Sequence, residues 1–169
     1  MATDEFIRDS QNRVKDVFTK RPESALDTTY ATAEITEGLT CTFTQGDVVA
    51  IMDMPEIMGG SNKGQSPGFH ARAAIAGCVA IGIKQAAAAD DIACEAIRVE
   101  LEMDFDDAAM FGLGHNKASP LNTRLKIHIT SASEPDIIEA LVSRVLERDP
   151  YYLALRDAQS VSAHLHIDR

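Results

Sequence analysis

The stretch from Ser66 to Ala88 restricts this chain more than any other feature. Ser66 followed by Pro67 is the chemistry of a helix start. The serine hydroxyl can accept a free amide of the first turn, and proline is tolerated at the first helical position. The residues that follow, through AAIAGCVAIGI at 73–83, are apolar at almost every position. Wound into a helix they are apolar on all faces, so the helix belongs in the core. Its uncharged part falls short of the roughly 20 residues needed to span a bilayer. Gly77 and Gly82 each cost about 1 kcal/mol against alanine in an exposed helix. In a buried helix they let a neighbouring element approach closely.

The elements on either side can be read from spacing. Residues 4 to about 20 form an amphipathic helix, with Phe6, Ile7, Val14, Val17 and Phe18 near helical spacing. Arg21-Pro22 ends it. Residues 28–36 (TTYATAEIT), 39–44 (LTCTFT) and 48–52 (VVAIM) read as strands. Glu37-Gly38 and Gln45-Gly46-Asp47 supply the turns, so an antiparallel meander is expected. Residues 53–68 read as loop. Beyond the central helix, 96–105 (AIRVELEMDF) and 121–129 (LNTRLKIHI) alternate apolar and polar and are expected to pair. Residues 106–120 read as loop. Pro135 opens a helix with Ile138, Leu141, Val142 and Val145 on one face, and Asp149-Pro150 stops it. A last strand is expected at 161–167 (VSAHLHI). No internal repeat or long linker divides the chain. A single domain over 1–169 is expected, with a helical extension at 4–21 and a core at 28–168.

Charge removes several function classes. The 169 residues carry a formal net charge of −10, which repels phosphate backbones, so no nucleic-acid partner is expected. The acidic start, MATDEFIRDS, is not a secretory signal, and no membrane partner is expected. Cys41, Cys78 and Cys94 are too few, and odd in number, for a disulfide scaffold. A reducing cytoplasm is the expected compartment.

Few residues suggest chemistry. The run GGSNKG at 59–64 precedes a helix, but Gln65 and Ser66 stand where a phosphate loop needs Lys and Ser/Thr. His164 and His166 would share one face of a strand, and with His128 they could form a three-histidine zinc site. Nothing in the sequence brings those strands into register. Cys78 stands in the middle of the central helix, too far from its N-terminus to be activated there. Arg72 lies about 240° round the helix from it. Any group that tunes Cys78 must come from elsewhere in the fold or from another subunit.

The segment MGGSNKGQSPGFHARAAIAGCVAIGIKQAA, at 58–87, resembles the OsmC/Ohr family of thiol-dependent peroxidases. The likeness lies in a Gly-rich loop, then Ser-Pro, then a buried helix carrying Ala-Gly-Cys. The element order over roughly 28–168 fits as well, and the N-terminal helix suggests a subgroup with such an extension. The resemblance implies an α+β fold in an intertwined homodimer, with antiparallel sheets wrapped around a central buried helix and sites at the subunit interface. It implies cysteine chemistry on small hydroperoxides with no cofactor or metal, and it maps the peroxidatic position onto Cys78. A homodimer also answers the physical demand of the central helix, which must be surrounded.

Other positions depart from the family pattern. The resolving cysteine of the family's Cys-Pro pair is replaced by Asp149, before Pro150. The helix-start glutamate corresponds to Gly68, and Glu37-Gly38-Leu39 offers no activating arginine. Cys41 and Cys94 match neither position. The expectation is therefore a weak one-cysteine hydroperoxide reductase in which Cys78 is resolved by an external thiol. The alternatives are a catalytically degenerate relative that binds a small apolar ligand between subunits, and another thiol chemistry or a structural role.

Overall fold

A computed structural model describes residues 2–167 of the chain. Helix α1 (Asp4–Lys20) precedes three strands, β1 (Thr32–Glu34), β2 (Cys41–Gln45) and β3 (Val48–Met52). Then come α2 (Pro67–Ala89), β4 (Ala96–Asp104), the short α3 (Asp107–Met110) and β5 (Asn122–Thr130). Helices α4 (Pro135–Leu146) and α5 (Pro150–Arg156) complete the order. This is the α+β arrangement expected from the sequence. The strands form two antiparallel sheets, β1-β2-β3 and β4-β5.

Helix α2 begins where its cap chemistry places it. The Ser66 hydroxyl accepts from the Phe69 amide at 3.3 Å, and Pro67 follows. On one side α2 is buried through Ile75, Val79, Ile83, Ala87 and Ala88. Val79, Ile83 and Ala87 pack with Leu141 and Val145 of α4 and with Cys94. The inner residues of the β4–β5 pair, including Ile97 opposite Ile129 and Val99 opposite Ile127, close this core. Their outer face is a charge ladder in which Arg124 bonds Glu102 at 2.9 Å and Asp104 at 2.6 Å. A window of α2 has a mean hydropathy of 1.2, enough by composition for a bilayer span. Here the helix is a core element, with α1, β4, α4 and α5 packed on it.

The burial of α2 is one-sided. Ile81 is 61% exposed, and Cys78 is only half-buried. One chain alone does not cover the helix on every face: among the described residues, α1 and the end of α4 flank that side and leave a cavity on it. The β1–β3 meander also contacts mainly itself. Val48 and Val49 stay exposed on it.

Asp53 ties the meander to the loop that leads into α2. It is 2% exposed. Its carboxylate accepts from the amides of Met54, Ser61 and Lys63 and from the Thr40 hydroxyl. Burial alone would oppose ionisation, but these four donors outweigh it and hold its pKa below the usual carboxylate value. Gly60 is needed for this wrap. A Cβ there would stand 1.8 Å from the Met54 carbonyl oxygen, which is backbone and cannot swing aside. Gly60→Ala is expected to destabilise the protein by about 1–3 kcal/mol through forced overpacking. Urea unfolding of the pair measures it, and equal midpoints would show that the loop yields freely.

Four sequence expectations need correction. Residues 161–167 form no strand: they pair with no described strand and leave Val161 86% and Leu165 82% exposed. Alternation marks a face that needs cover, but a strand also needs an edge to bond to. Asp149-Pro150 does end α4, but it also starts α5. The Asp149 Oδ1 accepts from the Tyr151 and Tyr152 amides at 3.1 and 2.8 Å. The loop at 106–120 contains α3, capped by Asp106 through the Ala108 amide. The first strand shrinks from 28–36 to Thr32–Glu34, the part with partners on β2.

Candidate functional site: the cleft at Cys78

Cys78 lies on the uncovered side of α2, at a cavity of about 400 Å³. Ile81, Gly82, Gln85 and Ala89 continue the same face of the helix along the cavity. The opposite wall is the end of α4 and the start of α5, through Arg144, Val145, Arg148 and Asp149. Helix α1 supplies a third wall through Gln11 and Lys15.

Gly82 lets this assembly close tightly. A Cβ on it would come within 3.1 Å of Val145 Cγ1 and 3.9 Å of Asp149 Oδ2. The absence of a side chain lets the α4–α5 corner close onto α2 one turn beyond Cys78. Of Gly77 and Gly82, the latter meets the close approach that the sequence suggested. A Cβ on Gly77 would meet nothing within 4 Å.

The corner brings a carboxylate to the sulfur. Burial is the largest influence on Cys78 and raises its pKa. The Asp149 carboxylate raises it further, first as an acceptor that holds the thiol proton and then as a negative charge that repels a thiolate. The Tyr151 amide opposes these effects. Asp149 therefore lies beside Cys78 on the cavity wall and favours its protonated form. Asp149 is itself 4% exposed and anchored by the two α5 amides.

The other sequence candidates lie elsewhere. Cys41 is on β2, and Cys94 is buried in the core. Burial pushes the Cys94 thiol up, Lys84 pulls it down and Asp4 pushes it up again. Gly68 lies against the Arg72 guanidinium at the start of α2. His70 stands nearby, its Nε2 enclosed without a hydrogen-bond partner and its ring edge-on to Phe69. His128 is on β5, 3.5 Å from Glu100, while His164 and His166 sit in the unpaired 161–167 segment. No metal-binding group of three such side chains occurs among the described residues. The sequence reading missed Lys15, Gln85, Arg144 and Arg148. The mapping of Asp149 onto the resolving position was a signal for Arg148 beside it, and nothing comparable pointed to Lys15.

An antiparallel α+β fold, with a cysteine on its central helix opening into a cleft, defines the class of protein. The family model for OsmC-like proteins matches residues 60–164, more than half of the chain. The chain belongs to that family. Among solved structures it is similar to an OsmC-like protein from Mycoplasma pneumoniae. That match has a TM-score of 0.64 and 18% identity, and covers 77% of this chain and 88% of the other. An organic hydroperoxide resistance protein from Legionella pneumophila aligns with a TM-score of 0.58 at 26% identity, covering 78% and 90%. Another from Elizabethkingia anophelis gives a TM-score of 0.54 at 17% identity, covering 78% and 89%. A comparison with curated proteins finds no match.

Proposed function

We propose that this chain is a slow one-cysteine hydroperoxide reductase that works as a homodimer. The observation that carries the reading is Cys78 at an open cleft with Asp149 facing it. The Legionella relative, named as an organic hydroperoxide resistance protein, supports the substrate class. The Cys78 thiolate attacks the outer oxygen of a hydroperoxide, the O–O bond breaks, and a proton completes the alcohol. Sulfur is oxidised to sulfenic acid and the peroxide is reduced. Asp149 has no sulfur to condense with that acid. Resolution therefore falls to two equivalents of an external thiol, which leave as a disulfide and water.

The reaction is slow for a physical reason. The nucleophile is the thiolate, and each unit of raised pKa removes about tenfold of it at neutral pH. A second reading is favoured by another cavity, of about 670 Å³, lined by Ile127, Ile129, Ile138, Val142 and Leu146. It would suit a small apolar ligand in a protein whose thiol is inert.

A single-turnover experiment separates the two readings. Reduced protein is mixed with an organic hydroperoxide and weighed by mass spectrometry, with and without a monothiol. Gain of one oxygen at Cys78, its removal by the thiol and its absence in Cys78→Ser are expected. Oxidation that persists in Cys78→Ser, or a disulfide from Cys78 to Cys41 or Cys94, would overturn the proposal. An unreactive Cys78 would favour the binding protein.

A further inference from the structure

The charges around the cleft run against the rest of the molecule. The chain as a whole carries −10. At the cleft, Lys15, Arg144 and Arg148 stand against Asp90 and Asp149. Arg144 is already paired with Asp90. Asp149 is committed to the Tyr151 and Tyr152 amides and lines the cavity together with Cys78. Among the described residues, Lys15 and Arg148 enter no ion pair. They leave two uncompensated cations, one on α1 and one at the end of α4, lining the cavity that reaches Cys78.

We propose that Lys15 and Arg148 select the external thiol, and that this co-substrate is a small thiol carrying a carboxylate. The inference rests on the one-cysteine reading, which requires such a co-substrate. The resolving species arrives as a thiolate, and Asp149 repels it just where it must attack. Cations beside the path offset that repulsion. By holding the carboxylate at the mouth they also turn the sulfur inward. Arginine suits the carboxylate with a fixed two-pronged donor pair, and lysine with a mobile point charge. In the first step the thiolate sulfur displaces hydroxide from the Cys78 sulfenic acid. A proton converts the hydroxide to water, and a mixed disulfide remains. In the second step another thiolate attacks the outer sulfur. The Cys78 thiolate leaves and is protonated, and the co-substrate departs as its disulfide.

Two measurements test this, one of them free of peroxide. The first follows exchange of the reduced Cys78 thiol with dithiodipropionate, hydroxyethyl disulfide and cystamine, which are anionic, neutral and cationic. Each rate is divided by that of 2-mercaptoethanol with the same disulfide. The second follows reduction of preformed Cys78 sulfenic acid by 3-mercaptopropionate, 2-mercaptoethanol and cysteamine at matched thiolate concentration. A preference of about tenfold for the anion over the cation is expected at low salt, shrinking at high salt. Lys15→Gln with Arg148→Gln should erase the ratio, and Lys15→Arg should keep it. A general structural defect would slow all three reagents alike and leave the ratio intact. Equal rates for the three charges in both measurements overturn the selection and leave the reductase reading standing. Anion preference in the exchange measurement, with no sulfenic acid formed by peroxide, supports the charged mouth and overturns the reductase.

Discussion

Asp149→Asn should make Cys78 more reactive, with alkylation by iodoacetamide at pH 7 accelerated by about tenfold for each pKa unit lost. Asparagine keeps a side-chain oxygen for the Tyr151 and Tyr152 amides, so α5 retains its cap. What disappears is the negative charge, and with it the repulsion by which Asp149 disfavours a Cys78 thiolate. Burial remains, so the thiol should not fall to the values of strongly activated cysteines. The pH profile of alkylation, read on the peptide carrying Cys78, gives the midpoint directly. An unchanged midpoint would show that burial alone sets this thiol. Asp149→Cys tests the same geometry from the other side. It replaces the carboxylate with a sulfur, and hydroperoxide should then yield a disulfide between residues 78 and 149. Loss of the cap costs that variant about 1 kcal/mol.

The second large effect is assembly: the chain is expected to sediment at twice its 18.3 kDa mass at micromolar concentration. The meander presents Val48 and Val49, and the 161–167 segment presents Val161, Leu165 and Ile167. Surfaces of this kind, spread over several elements of one chain, suit the area a stable pair must bury, about 1,200–2,000 Å² in all. Leu165→Asp with Ile167→Asp should shift the species towards the single-chain mass and lower its thermal midpoint. A single 18.3 kDa species for the unaltered protein would remove the homodimer from the proposal.

Legibility in the sequence followed the locality of the signal. Ser66, Pro67 and the apolar run placed α2 closely, because cap and composition act within a few residues. Strict alternation placed β4 and β5 and their pairing. Helix α1 was found as well, but not its packing. The residues Phe6, Val14, Val17 and Phe18 that marked its apolar stripe are exposed, while Ile7 and Gln11 are half-buried. A stripe shows that a helix has an apolar face, not that the same chain covers it. Asp149-Pro150 was read as a stop, and the same pair equally starts a helix. That double meaning hid α5. The cysteine was singled out by the resemblance alone, through the Gly-rich loop, the Ser-Pro cap and Ala-Gly-Cys; its place in the middle of an apolar helix would not have distinguished it. Its partner carboxylate was not derivable from helical spacing, because it arrives through a tertiary corner that depends on Gly82.

Helix α1 carries one wall of the cleft, yet none of its residues is buried. Its polar ties to the rest are surface pairs, Asp4 with Lys84 at 2.7 Å and Arg8 with Asp91. Exposed pairs of this kind contribute about 0–1 kcal/mol each. Detaching α1 therefore costs far less than unfolding the core around Val79, Ile83 and Leu141. Such partial opening belongs to the low end of a protein's local-stability spectrum. The wall that bears Lys15 can swing out and return while the sheet and the central helix stay folded. Local opening of α1 is the expected route by which molecules larger than the closed volume reach Cys78, and amide hydrogen exchange no faster in α1 than in α2 would count against it.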